Sequence, residues 1–139
     1  MAADWLEDLA DLFEQQGLGT KASTTAGVFG IFTDGRPAAK QHTLIILMRT
    51  GGTPDAEIAE LRLRTFQVLV VGDRSDPSVA EQKAEAIYDT IANKSLTATA
   101  ARTFKFFVPI QFPTNIGPDE NGNFQYSHNY RTLVKEEVN

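Results

Sequence analysis

The N-terminal stretch DWLEDLADLFEQQGLG has apolar and acidic positions spaced as on a helix. The apolar positions recur every three or four residues and form one face, which consists of Trp5, Leu6, Leu9, Leu12 and Phe13. Asp4 is a candidate N-cap, with Glu7 three residues later as in a capping box. Gly17 and Gly19 are expected to end the helix. The acidic residues face mostly elsewhere, toward solvent or a partner.

A second helix is predicted from the stretch SDPSVAEQKAEAIYDTIANKS. Asp76 is a candidate N-cap, and Pro77 suits the first helical position, where its missing N–H has no cost. The predicted inner face consists of Ala80, Lys83, Ala84, Ile87 and Ile91. The stem of the lysine is expected to lie along the rim of that face.

Three strands are predicted between the two helices. The first is Val28 to Thr33, and the turn signal Asp34-Gly35 after it predicts a hairpin-like connection to the second strand, HTLIILMRT. The second strand and the third, TFQVLVVGD, are apolar on both faces, which is typical of covered central strands. Residues 55–63 between them are predicted to form a turn of helix or an irregular arm.

Strict alternation predicts the last two strands. In FKFFVPIQF, one face is predicted to carry Phe104, Phe106, Val108, Ile110 and Phe112, and the other Lys105, Phe107, Pro109 and Gln111. In NFQYSHNYRTLV, the predicted inner face is Phe124, Tyr126, His128, Tyr130, Thr132 and Val134. Because Pro109 has no N–H to donate, its strand is expected at a sheet edge or bulged at that residue.

This order of elements predicts a single α+β domain over residues 1–139. The predicted architecture is a largely antiparallel, mixed sheet of about five strands with two helices packed on one face. The connection through the second helix allows one parallel pairing, which would be right-handed. Two helices protect only one face of such a sheet, so an exposed apolar face or edge is expected to favour self-association.

Composition narrows the function classes. The chain has no cysteine, which excludes disulfides, thiolate nucleophiles and cysteine-based zinc sites. Its net charge is −5 and it has no long basic run, so binding of the nucleic acid backbone is not indicated. No apolar stretch approaches the roughly 18 residues of a membrane span. The N-terminus is acidic, unlike the basic start of a signal peptide.

Candidate chemical groups are few. His42 and His128 are the only histidines, and His128 is interpreted as a half-buried residue among the aromatics of a strand. In the tip PDENGN, Asp119, Asn121 and Asn123 alternate as calcium ligands do, but no glutamate completes an EF-hand loop. The tip is therefore predicted to be a turn, with Asn121-Gly122 supplying positive φ angles.

Sequence motifs for catalysis are absent. The chain contains no HExxH, G-x-S-x-G or phosphate-loop motif. We therefore predict no catalytic, cofactor-binding or metal-binding residue and no cofactor. A small α+β ligand-binding domain or enzyme that uses the sheet face and His128 is kept as an alternative.

The chain resembles the tail-terminator proteins of long-tailed bacteriophages, often labelled minor capsid or tail-to-head joining proteins. Three features carry the resemblance: the acidic N-terminal helix, the strand FQVLVVGD followed by DPSVAEQKAEAIYDTIAN, and the ending PIQFPTNIGPDENGNFQYSHNYRTLV. That ending joins a strand, a proline- and glycine-containing turn and a strand of the type Y-S-x-N-Y. Its residues here are Tyr126, Ser127, Asn129 and Tyr130.

The resemblance implies a structural virion protein and not an enzyme. Its subunits would form a homo-oligomeric ring, commonly a hexamer, that caps the tail tube, stops tube polymerisation and meets the head connector or stopper protein. Such a ring would lie in the tail or neck of the virion after assembly in the bacterial host cytoplasm. DNA would pass through the lumen without specific binding, which suits an acidic subunit. Another head–tail joining or neck-ring component is the alternative.

Six residues are candidates for contacts with a neighbouring subunit or with the tail tube. Three arginines flank the glycine-rich segment TGGTPDAE, and three aromatic residues lie on the two last strands. The candidates are Arg49, Arg62, Arg64, Phe107, Tyr126 and Tyr130.

Overall fold

The structure is a computed structural model that describes residues 5–25, 27–35, 43–50, 57–58, 61–72, 76–97 and 102–135. Within these ranges the chain forms two α-helices and eight β-strands. The helices are α1 (Trp5–Gln15) and α2 (Pro77–Ile91). The strands are β1 (Thr20–Lys21), β2 (Gly30–Thr33), β3 (Leu44–Arg49), β4 (Glu57–Ile58), β5 (Leu61–Val71), β6 (Leu96–Thr97), β7 (Thr103–Pro118) and β8 (Phe124–Lys135). Neither described helix is long and apolar enough to cross a membrane.

All eight strands belong to one mixed sheet. Its order is β1-β2-β3-β5-β8-β7-β6, and β4 pairs with the start of β5. Helix α1 packs near β1, β2 and β3, and α2 packs near β5, β7 and β8. Both helices share one hydrophobic cluster with the inner face of the sheet. The α+β class is confirmed, but the prediction of about five strands missed β1, β4 and β6, which are too short to leave a periodic pattern.

The predicted hairpin between the first two strands is wrong. Strands β2 and β3 are parallel, in register from Gly30↔Leu44 to Thr33↔Leu47. Asp34 does turn the chain, with a φ of 59°, and its N–H bonds to the Leu47 carbonyl oxygen at 2.8 Å. The turn signal predicts a hairpin-like connection of more than two residues, but a turn at this point does not fix the direction in which the next strand pairs. Residues 36–42 lie outside the described part of the chain.

The parallel pairing that the connection through α2 allows is not formed in the described sheet. Strand β8 lies between β5 and β7 and is antiparallel to both. It pairs with β5 over the full length of that strand, from Leu61↔Lys135 to Val71↔Gln125. The parallel pairs are instead β1–β2 and β2–β3.

The segment before β5 is extended where the structure describes it. Glu57 and Ile58 pair with Arg62 and Leu61 as antiparallel strands. A turn of helix is therefore wrong for these residues, while the neighbouring residues 51–56 and 59–60 lie outside the described part. Strand β5 thus begins earlier than the predicted strand TFQVLVVGD.

Helix α1 ends as predicted at Gly17. The N–H groups of Gly17 and Leu18 bond to the carbonyl oxygens of Glu14 and Phe13, each at 3.0 Å, and Gly17 has a φ of 76°. These two bonds form the Schellman motif, in which a residue without a Cβ takes the left-handed conformation at low cost. The candidate N-cap Asp4 lies outside the described residues.

The start and the inner face of α2 are confirmed. The Asp76 carboxylate accepts the backbone N–H of Ser78 at 3.0 Å, and Pro77 occupies the first turn. The small and aliphatic residues of the inner face, Ala80, Ala84, Ile87 and Ile91, are fully buried. Lys83 Nζ donates to the Leu18 carbonyl oxygen at 3.0 Å, so its stem lies along the rim and ties α2 to the end of α1. Burial lowers the Lys83 pKa.

Aromatic rings from four elements meet in the core below the helices. Phe66 stacks on Tyr130, with centroids 5.5 Å apart, and meets Trp5 and Phe107 edge to face. On the opposite face, which we call the outer face, a second cluster consists of Leu44, Ile46, Leu69 and Val71. This second cluster confirms that β3 and β5 are central strands apolar on both faces.

Candidate assembly surface

Strand β7 forms an open edge of the sheet along most of its length. One side pairs with β8, and the other pairs with β6 only at Phe104 and Thr103. Phe107 extends this contact, because its carbonyl oxygen accepts the Asn93 N–H at 2.7 Å. From Val108 to Pro118, no strand in the described ranges pairs with the edge of β7 that faces away from β8.

The large hydrophobic side chains that the described residues expose all lie on this strand. They are Phe106, Ile110, Phe112 and Ile116, with exposed fractions of 60%, 57%, 67% and 50%. Single exposed apolar residues are common on proteins, but their concentration along one edge is typical of an interaction surface. This concentration points to β7 as the candidate assembly surface.

A β-bulge at Phe106 turns its side chain outward. Lys105 pairs with Leu133 and Val108 pairs with Arg131, so β7 holds one more residue here than β8. Phe106 takes a φ of 54°, and its N–H bonds to Ser95 Oγ at 3.0 Å. A bulge shifts the alternation by one residue.

Phe104 before the bulge and Phe107 after it therefore both point into the core. The predicted placement of Phe106 beside Phe104 is wrong, and so is the placement of Phe107 on the opposite face. Phe104 and Phe107 are both fully buried and stack with centroids 5.8 Å apart.

Further irregularities follow along β7. The register shifts again between Pro109 and Gln111, between Gln111 and Thr114, and between Asn115 and Gly117. The prediction for Pro109 is confirmed, because its strand is both an edge strand and irregular at that residue. Prolines lack an N–H and irregular edges make poor templates, so this edge resists unlimited strand addition. Contacts made here would therefore rest mainly on side chains.

Comparison with known proteins decides the identity of the chain. A family model described as bacteriophage tail terminator protein matches residues 12–136. The chain belongs to the bacteriophage tail terminator family. The matched range contains most of the chain, including all of β7 and β8, which confirms the resemblance drawn from the sequence. No curated protein matches the chain. Membership in this family indicates a structural role in phage tails, in which the chain assembles with other phage proteins.

Two of the three aromatic interface candidates are core residues. Phe107 and Tyr130 have no exposed surface, so neither side chain is available to a partner in this fold. Burial of Tyr130 raises the pKa of its phenol. Tyr126 is partly exposed, and its hydroxyl donates to Glu81 Oε2 at 3.3 Å. Its place in an interface stays a prediction.

The structure places two of the three candidate arginines against the indole ring of Trp5. The guanidinium carbons of Arg49 and Arg64 lie 5.9 and 5.6 Å from the centroid of Trp5. Arg49 also forms an ion pair with Asp34, with Nη2 and Oδ2 3.0 Å apart. Cation–π contacts of this kind brace the start of α1 against the sheet. The Arg62 side chain lies outside the described part of the chain, and contacts of the three arginines with another subunit stay predictions.

His128 is more deeply buried than the predicted half-buried residue. It is fully enclosed, and its Nδ1 lies 2.6 Å from the Tyr130 hydroxyl. Nε2 has no hydrogen-bond partner among the described residues. Burial lowers the His128 pKa to about 4, because the charged imidazolium loses its hydration. His42 lies outside the described residues.

The tip between β7 and β8 is a capped turn, as predicted. The Asp119 carboxylate accepts the N–H groups of Asn121 and Asn123, each at 2.9 Å. Gly122 alone supplies a positive φ, of 81°, so the expectation of a positive φ at Asn121 is wrong. A type I turn followed by one left-handed residue explains this, since it needs only one such position. The described residues contain no group of three or more acidic or histidine side chains that could hold a metal ion.

The sequence signal for the exposed apolar surface of β7 is indirect. Alternation alone cannot locate a bulge, because the register shift depends on contacts between β7, β8 and the 93–97 segment. Pro109 indicates an edge or bulged strand, and Pro113 and Pro118 farther along β7 add to that signal. Together with aromatic residues on both parities of FKFFVPIQF, they indicated an edge with an apolar surface.

Proposed function

We propose that this chain is the ring-forming subunit that ends the phage tail tube. Copies associate through the exposed β7 surface into a closed ring, commonly of six. The ring caps the last ring of the tube, stops its polymerisation and presents a second face to the head connector or stopper protein. Family membership and the exposed apolar residues of β7 support the proposal.

The size of the apolar surface suits a conditional association. Burial of a whole Phe or Ile side chain contributes roughly 1.5–3 kcal/mol, so covering the exposed parts of these four contributes roughly 4–7 kcal/mol. Association in solution costs roughly 4–15 kcal/mol in lost motion. One contact is therefore close to balance, and closure of the ring supplies the remaining stabilisation.

The irregular edge suits a subunit that stops growth. A regular, flat edge strand would allow addition of strands without limit. The prolines and register shifts of β7 leave side-chain contacts as the main attraction, and these have a fixed geometry. A net charge of −5 fits a lumen that lets DNA slide, because the subunits carry the same sign of charge as the phosphates.

Assembly of the ring would take place in the bacterial host cytoplasm. Another head–tail joining or neck-ring role is the second candidate, since it would use the same kind of ring with a different neighbour. An enzyme that depends on His128 has lost its support, because that side chain is enclosed and hydrogen-bonded to Tyr130.

The test uses tail-tube protein that polymerises in vitro. Wild-type chain added during polymerisation should shorten the tubes seen by negative-stain electron microscopy. The variant Ile110→Ser/Phe112→Ser removes two exposed apolar side chains and should let the tubes grow. Gln82→Ser, at an exposed position of α2, is the matched control and should act as wild type. Unchanged tube lengths with wild-type protein, together with binding to a head connector, would favour the neck-ring role.

A further inference from the structure

Charge is divided unevenly over the sheet. The chain as a whole is acidic, yet β5, β7 and β8 contain no aspartate or glutamate. These three neighbouring strands carry the basic residues Arg62, Arg64, Lys105, Arg131 and Lys135. Arg131 and Lys135 are exposed and Lys105 is partly exposed, so the described surface of β7 and β8 carries positive charge on a subunit with a net charge of −5.

The outer face of these strands holds an apolar groove. It is lined by Leu63, Phe106, Val108, Arg131, Thr132 and Leu133. Phe106 projects from the groove with 60% of its surface exposed, because the bulge turns it away from the core. Two cations flank it, since Lys105 pairs with Leu133 and Arg131 pairs with Val108. We call Phe106 with Lys105 and Arg131 the basic knob.

A cleft of the opposite charge lies at the other end of the sheet. It opens between α1 and strands β1 and β2, and its lining includes Glu7, Ala10, Lys21, Ala22, Ile31 and Phe32. We call this the acidic cleft.

The acidic cleft keeps an excess of negative charge. Its one lysine, Lys21, is held by Asp11 and Glu7, with Nζ–O distances of 2.6 and 3.6 Å. Glu14 accepts the Lys21 backbone N–H at 2.8 Å. Two carboxylates, those of Glu7 and Asp11, thus face one ammonium group, and Glu14 lies beside them at the Lys21 backbone. An apolar wall of alanine, isoleucine and phenylalanine side chains lines the same cleft.

We propose that the basic knob of one copy of this chain fits the acidic cleft of the next copy. The proposal rests on the ring-forming function given above and names the two surfaces that meet. The knob lies toward the β7 end of the sheet and the cleft at the β1 end, so each subunit presents both at once. Contacts between two different patches give head-to-tail rings when the rotation closes.

Opposite charge and shared apolar character favour a second copy as the occupant. An aromatic anchor flanked by cations matches an apolar cleft with carboxylates, and such complementarity fixes the register of an interface. Duplex DNA would use the cations alone and would leave Phe106 and Leu133 without an apolar partner. The charges of the chain therefore favour protein over DNA at this face.

The test is a charge exchange measured by sedimentation equilibrium. Lys105→Glu/Arg131→Glu and Glu7→Lys/Glu14→Lys should each weaken association about tenfold or more, because like charges then face each other. The chain that carries all four changes should associate more tightly than either double variant. Glu85→Lys, at an exposed position of α2, is the matched control and should associate as wild type.

One variant separates assembly from folding. Phe106→Asn removes the aromatic side chain at a position with a left-handed backbone conformation, which asparagine tolerates. The fold should therefore persist in circular dichroism while association falls.

Four outcomes decide the proposal. Recovery of association in the chain with all four changes supports it. Wild-type association by both double variants, or a wild-type chain that stays monomeric, overturns it. Duplex DNA binding that Lys105→Glu/Arg131→Glu abolishes, with association unchanged, also overturns it and assigns the face to DNA. Failure of an associating wild-type chain to stop tubes would contradict only the terminating function.

Discussion

Two adjacent phenylalanines should respond in opposite ways to substitution. Phe106 and Phe107 have the same chemistry and neighbouring positions, but the bulge exposes 60% of Phe106 and buries Phe107 completely. Strict alternation in the sequence predicts the reverse arrangement. Comparing Phe106→Asn with Phe107→Ala therefore tests the bulge that creates the exposed surface of β7.

The expected magnitudes differ clearly. Phe107→Ala leaves a cavity between Phe66 and Phe104 and should cost roughly 3–5 kcal/mol of unfolding free energy. Phe106→Asn loses the buried part of one ring, roughly 1 kcal/mol. It also relieves a left-handed backbone that costs most residues roughly 1–2 kcal/mol. The net change for Phe106→Asn should therefore lie within about 1 kcal/mol of zero.

The assay is urea denaturation of dilute protein followed by circular dichroism, so that association does not add to the measured stability. The two variants should share the wild-type slope and differ in midpoint. Equal destabilisation by both, or a greater loss from Phe106→Asn, would refute the bulge and return β7 to simple alternation.

Three other perturbations have defined outcomes. His128 stays neutral in the fold to a pKa of about 4 while an unfolded histidine titrates near 6.5, so stability should fall by about 3 kcal/mol as pH drops between these values. His128→Phe should flatten that part of a pH series of urea midpoints, and an unchanged slope would contradict the burial of the imidazole. Gly17→Ala should cost about 1 kcal/mol in thermal melting because its φ is 76°, and a neutral result would argue against the Schellman motif. Asp119→Ala should cost about 1 kcal/mol by removing two turn hydrogen bonds, whereas Glu120→Ala beside it should be neutral.

Local signals in the sequence were enough to predict the helices and the last strand. The apolar stripe of α1, the cap of α2 at Asp76 and the inner face of β8 each depend on residues close together in the chain. These three predictions are confirmed because helix period, capping and strand alternation are set by short-range geometry.

Long-range pairing was not predictable in the same way. The chain does turn at Asp34, but a turn signal does not specify the direction of the following strand. The parallel pairing of β2 and β3 was therefore not predicted. The order β5-β8-β7 was missed because apolar strands do not specify their neighbours.

The exposed surface of β7 illustrates both what the sequence predicts and what it does not. The extra residue at Phe106 reverses the alternation of β7 at that point. Phe107 therefore lies in the core and Phe106 on the surface, the opposite of the predicted arrangement. The family and its structural role were accessible from the sequence because they rest on the order of elements along nearly the whole chain.

The central claim is that copies of this chain close into a ring through the β7 surface. Native mass spectrometry of the purified chain tests it most directly, because a closed ring has one discrete mass. The expected result is a single multiple of the chain mass for wild type, and monomer for Ile110→Ser/Phe112→Ser. A continuous series of larger species, or the same ring mass from the variant, would contradict it.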